Sequence, residues 1–87
     1  MNFPEIKPKD WITIGSTRAV VCRILEKSEA TLRVEVVYLD NKEQAIGEEV
    51  SWQSGNWEFT SPDGVYADKF SRFNEFVSQL RFGHHKK

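Results

Sequence analysis

The sequence predicts a mainly β domain, five short strands closing into a small barrel, followed by one C-terminal amphipathic α-helix. Three observations carry that expectation. Apolar and polar residues alternate through most of residues 10–60, the period of a half-buried strand. Turn-forming clusters punctuate the alternation: Gly15-Ser16-Thr17, Lys27-Ser28-Glu29-Ala30, Asp40-Asn41-Lys42-Glu43 and Gln53-Ser54-Gly55-Asn56. From Asp68 the spacing of large apolar residues lengthens to that of a helix face. With 87 residues there is room for one core and one domain.

Residues 1–9 contain Pro4 and Pro8 and read as an extended N-terminal arm. Residues 10–14 make a first strand and residues 18–26 a second. In the second, Val20, Cys22 and Ile24 face one way, and Ala19, Val21 and Leu25 the other. Residues 31–39 alternate most clearly, with Leu32, Val34, Val36 and Tyr38 on one face and Arg33 and Glu35 opposite. Val21, Leu25, Val37 and Leu39 then place apolar groups on a face that a one-sided sheet leaves wet. A closed sheet, or a helix lying over the outer face, accounts for them. Ile46, Val50 and Trp52 build a fourth strand, with Gly47 as a bulge or bend. Residues 57–60 form a short fifth strand, and Ser61-Pro62-Asp63-Gly64 suits a type I turn that ends the barrel at about residue 60.

Over residues 66–83 the spacing predicts a helix packed on that barrel. Phe70, Phe73, Phe76, Val77 and Leu80 form its apolar stripe, Asp68 its N-cap, Arg81 its last turn and Gly83 its stop. Burying such side chains stabilises by about 1.5–3 kcal/mol each, too much for an undocked tail. Residues 84–87 are read as a frayed tail.

The net charge of −1 is unevenly distributed. Residues 1–40 balance. Residues 41–64 hold one basic and five acidic side chains, and residues 65–87 hold five basic and two acidic ones. Attraction between the acidic hairpin and the basic C-terminal segment is the expectation. One cysteine excludes an internal disulfide and fits a reducing compartment. With neither a signal-peptide pattern nor a long apolar run, the cytoplasm is the expected location.

Little in the chain suggests catalysis. Cys22 sits mid-strand beside Val20 and Ile24, as a small buried hydrophobe does. His84 and His85 lack partners at metal-ligand spacing. Glu48 and Glu49 are neighbours on a strand and point to opposite faces. The chain is therefore expected to be no enzyme and to carry no cofactor and no metal. Its binding candidates are aromatic: Trp11, Tyr38, Trp52 and Trp57, with Asp40 beside Tyr38. Trp52 and Trp57 flank one hairpin turn and suit a stabilising clasp whose exposed edge recognises a partner. Glu49 and Glu58 interleave with them, so a cationic peptide is favoured there over a polyanion.

Residues 19–24 (Ala-Val-Val-Cys-Arg-Ile) and residues 34–41 (Val-Glu-Val-Val-Tyr-Leu-Asp-Asn) resemble the core of a Tudor domain, one of the SH3-like small barrels. The likeness spans roughly residues 10–60. It implies a five-stranded SH3-like barrel with a ligand site between the loops at one end. Tudor domains that bind methylated lysine or arginine place an aromatic cage there. Only Tyr38 and Asp40 fall on matching positions, and the Gly15-Ser16-Thr17 loop lacks the aromatic such cages take from it. The expected function is a non-catalytic interaction or adaptor module for a protein or peptide partner, acting as a monomer or weak homodimer. The alternative is a nucleic-acid-binding barrel using Arg18, Arg23, Arg33 and the basic helix end.

Overall fold

A computed structural model describes residues 3–60 and 64–82. Its strands are β1 (Trp11–Ile14), β2 (Thr17–Lys27), β3 (Leu32–Leu39), β4 (Ala45–Gln53), β5 (Asn56–Phe59) and β6 (Val65–Tyr66). The first five form an antiparallel meander in chain order. The short β6, unforeseen from the sequence, pairs with the start of β4 through Ile46–Tyr66 and Gly47–Val65, on the edge that β5 occupies further along. The sheet curls into a half-barrel in which β1 approaches β5. Phe3 and Ile6 of the arm pack against the core on its inner side. The type I turn expected at residues 61–64, the Gly83 stop and the tail at 84–87 fall wholly or partly outside the described residues.

Two apolar clusters result from the pleat. Inside the curl lie Ile12, Ile14, Ala19, Val21, Leu32, Val34, Val36, Val50 and Trp57. On the outer face Val20, Cys22, Val37 and Ala45 meet Ala67, Phe73, Val77 and Leu80. The apolar residues of the outer face are thus covered by the C-terminal segment, as the excess valines required. Val37 and Leu39 lie there as expected, but Val21 does not. Val21 pairs with Val36 and points inward, while Val20, opposite Val37, faces the helix.

The bulges also differ from expectation. The pairing of β2 with β3 steps from Val21–Val36 to Arg23–Glu35 and from Ile24–Val34 to Glu26–Arg33, leaving Cys22 and Leu25 as extra residues on the long strand. Each extra residue reverses the facing of the strand beyond it, so Ile24 joins the face of Val21 rather than that of Cys22. Gly47 keeps regular pairing with Val37. Its role is close approach: a Cβ there would stand 2.7 Å from Phe73 Cζ. The missing side chain is the seat of the helix segment.

That segment is not one helix from residue 66. Two 3₁₀ turns, Ala67–Lys69 and Ser71–Phe73, precede α1 (Asn74–Phe82), with Phe70 extended between them (φ −127°, ψ 120°). Asp68 lies within the first 3₁₀ turn, neither turn has a side-chain cap bond, and its carboxylate meets Arg81 at 3.4 Å. The kinked entry drops Phe73 fully into the outer core while leaving Phe70 exposed. Among the described residues the ion pairs of the C-terminal segment run to other partners than the hairpin acids. Arg72 pairs with Glu35 of β3 at 3.1 Å, and Lys9 of the arm with Glu75 at 3.2 Å. The hairpin's Glu49 is taken by Arg33 at 2.6 Å.

Candidate functional site

The sequence-derived candidates separate into three places. Trp57 is 7% exposed and belongs to the inner core. Trp52 pairs with it across the hairpin, edge to face at 5.2 Å, and stays half-buried. Such a pair adds about 0.5–1.5 kcal/mol beyond the area it buries. Trp11 faces the outer cluster under the guanidinium of Arg18, 4.5 Å from its ring. Tyr38 and Asp40 sit together at the end of β3.

Around Tyr38 the fold assembles more than the sequence indicated. Tyr38 lies at an inward register opposite Ile46 of β4, and Ile46 is opposite Tyr66 of β6. Two residues along β4, Glu48 also points inward, opposite Val36. Phe59, opposite Val50, brings its ring to 5.4 Å from that of Tyr38. Tyr38, Asp40, Ile46, Glu48, Gly64, Val65 and Tyr66 line a slot of about 290 Å³, with Phe59 against its tyrosine wall. Phe59 and Tyr66 are 39% and 52% exposed, far above what packing into a core leaves open. The chain returning at Gly64 closes down tightly, since a Cβ there would meet Ile46 Cγ2 at 2.5 Å and Glu48 Oε1 at 3.1 Å.

The electrostatics of the slot are one-sided. Tyr38 donates its hydroxyl proton to Glu48 Oε1 at 2.8 Å. Burial, then that bond and the nearby charges of Glu48 and Asp40, push the phenol up to about 12, so it remains a donor. No lysine or arginine among the described residues forms an ion pair with Glu48 or Asp40. Asp40 organises the rim: its Oδ1 accepts from the backbone N–H groups of Lys42 and Gln44, both at 2.9 Å. The ammonium of Lys69 stands 5.7 Å from the Tyr66 ring, a cation–π contact that an incoming cation would have to displace.

Glu48, Phe59, Val65 and Tyr66 were missed as site residues. For Glu48 the signal was present: in Ile46-x-Glu48-x-Val50-x-Trp52 a carboxylate occupies a place in an inward apolar series. Phe59 continues the inward phase of Trp57 across a two-residue step. Tyr66 carried no such mark, because its position depends on where β6 returns to β4.

The remaining arginines are mostly engaged. Arg23 binds Glu35 at 3.1 Å, and Arg33 bridges Glu26 at 2.9 Å and Glu49 at 2.6 Å. Cys22 is buried, and desolvation foremost raises its thiol to about 12, far from a nucleophile's range. Among the described residues no helix is long and apolar enough to cross a membrane. Compared with known proteins, the chain matches no family model, no curated protein and no solved structure.

Proposed function

We propose that this chain is a non-catalytic interaction module that holds a cationic side chain of a protein partner in the slot between β3, β4 and β6. The observation that carries the reading is Glu48: a carboxylate at an inward register, without a cationic partner among the described residues, in a slot lined by Tyr38 and Tyr66 with Phe59 behind Tyr38. Aromatic faces attract a cation through their quadrupoles, and a partly desolvated carboxylate beside them adds charge. This use of a small barrel is similar to that of Tudor domains, with Tyr38 and Asp40 at the matching strand end and Phe59 and Tyr66 serving where the Gly15-Ser16-Thr17 loop has no aromatic. A nucleic-acid role has less support at this slot, which would repel phosphate; of the arginines it would use, Arg23 and Arg33 are occupied by carboxylates and Arg18 alone bears no ion pair among the described residues.

The test is an NMR titration with short lysine- and arginine-containing peptides, unmodified and methylated. Saturable shifts are expected at Tyr38, Glu48, Phe59 and Tyr66, with binding at least about tenfold weaker for Glu48→Gln and Tyr66→Ala. Trp52→Ala, measured alongside, should bind normally. If folded Glu48→Gln and Tyr66→Ala proteins bind as the parent does, the slot is not the site.

A further inference from the structure

A second concavity lies on the opposite side of the end of β3, and its chemistry is reversed. Trp11, Ser16, Thr17, Arg18, Leu39, Leu80 and Arg81 line an open concavity of about 560 Å³, within the volume range of small-ligand sites. Trp11, Leu39 and Leu80 belong to or pack against the outer core and give it an apolar floor. Ser16 and Thr17 supply hydroxyls at one rim, and two arginines supply charge. Among the described residues no acidic side chain lines it.

The arginines differ in how they are held. The guanidinium of Arg18 lies over the Trp11 ring at 4.5 Å and forms no ion pair among the described residues. The cation–π contact holds the guanidinium at the cleft, and its N–H groups, without a carboxylate partner among the described residues, suit a carboxylate accepting two parallel hydrogen bonds. Arg81 reaches Asp68 at 3.4 and 3.5 Å and the Glu43 carbonyl at 3.5 Å, all at the long limit of hydrogen bonding. Arg81 thus shares its charge with Asp68 through a long two-point contact, and Arg18 is the cleft arginine without a carboxylate partner among the described residues. A cation is disfavoured here, since Arg18 already covers the indole and both charges would repel it.

We infer that this cleft binds a small organic carboxylate with an apolar body, its head between Arg18 and Arg81 and its body on Trp11, Leu39 and Leu80. The site is separate from the slot around Glu48, so either can fail without the other. The experiment titrates octanoate into isotopically labelled protein, with 1-octanol, octylammonium and inorganic phosphate as controls. Octanoate should give saturable shifts at the Trp11 indole N–H, Thr17 and Leu80, with a Kd at or below about 1 mM. Octanol and phosphate should bind at least about tenfold more weakly, octylammonium should not perturb these residues, and Arg18→Gln should weaken octanoate by about tenfold or more. Arg18 is exposed and bears no ion pair among the described residues, so that variant keeps the fold, which the dispersion of its own spectrum checks. Shifts that do not saturate, equal response to octanol or to phosphate, an unaffected Arg18→Gln protein, or an acidic peptide that outcompetes octanoate at the same residues would each overturn the assignment.

Discussion

Replacing Gly47 by alanine is the most direct probe of how the helix segment is held. The change adds one methyl to β4 at a site with regular pairing, and that methyl would stand 2.7 Å from Phe73 Cζ and 3.2 Å from both Cε atoms. To restore ordinary contact at 3.4 Å the ring must retreat by about 0.7 Å. Phe73 has no exposed surface, and the guanidinium of Arg72 sits 4.4 Å from its ring, so retreat displaces packed neighbours. Overpacking of this kind costs about 1–3 kcal/mol. Restricting the unfolded chain returns about 0.4–1 kcal/mol, for a net loss of about 1–2 kcal/mol. In a domain of this size that lowers Tm by roughly 5–15 °C. Urea unfolding followed by tryptophan fluorescence measures it, and a cycle with Phe73→Leu isolates the cause. Leucine lacks the ring tip, so in that background the cost of Gly47→Ala should fall below about 0.5 kcal/mol. An equal cost in both backgrounds, or a stabilised Gly47→Ala protein, would refute the close-approach account.

The titratable groups carry further consequences. Cys22, buried and with its thiol raised to about 12, should resist thiol reagents at neutral pH in the native protein and react once urea unfolds it. In a Tyr66→Phe background, the phenolate absorbance of Tyr38 should rise with a midpoint near 12, and Glu48→Gln should lower that midpoint. A phenol raised in the folded state keeps its proton longer there than in the unfolded chain, so its contribution to stability is lost as pH climbs from 10 toward about 12. Glu49 behaves in the opposite sense. The hydrogen bond from Arg33 holds its carboxyl below the ordinary 4.5, so the unfolded chain binds the proton first and the stabilisation fades as pH falls below that value. Denaturation midpoints of Arg33→Met against the parent should therefore converge at low pH.

Much of this architecture was legible because period-2 alternation survives wherever one face is buried. Leu32, Val34, Val36 and Tyr38 announce both β3 and its inward face, and Val37 and Leu39 announce that something covers the other side. The bulges of β2 left no mark, because Cys22 and Leu25 are ordinary strand residues and an extra residue is defined only against its partner strand. Gly47 was visible but ambiguous: a glycine within a strand signals either a bulge or a close approach, and only the position of Phe73 decides between them. The helix start was misplaced because Asp68 suits a cap, whereas Phe73 reaches its pocket only if Phe70 stays extended. For the slot, Tyr38 and Asp40 were found on their own strand. Phe59 lies on the hairpin partner of β4 that the turn at residues 53–56 marked, whereas Tyr66 arrives on β6, whose return to β4 no local pattern encodes.

The end of β3 explains why two concavities of opposite charge lie so close together. Successive side chains on a strand point to opposite faces. Tyr38 therefore enters the acidic slot, and Leu39 the floor of the arginine-lined cleft. Both depend on the turn after the strand, where Asp40 ties down the backbone of Lys42 and Gln44 and accepts, through its carbonyl, from the N–H of Glu43 at 2.9 Å. That turn lets Glu43 take a positive φ of 62° and brings its carbonyl within reach of Arg81. Asp40 thus bears on both sites at once, lending charge to the slot and positioning one contact of the arginine beside the cleft. The two hollows share no lining residue, yet they meet around the strand end, where Thr17 and Leu39 of the cleft and Tyr38, Asp40 and Tyr66 of the slot line one intervening concavity, so a charge bound on one side is felt on the other.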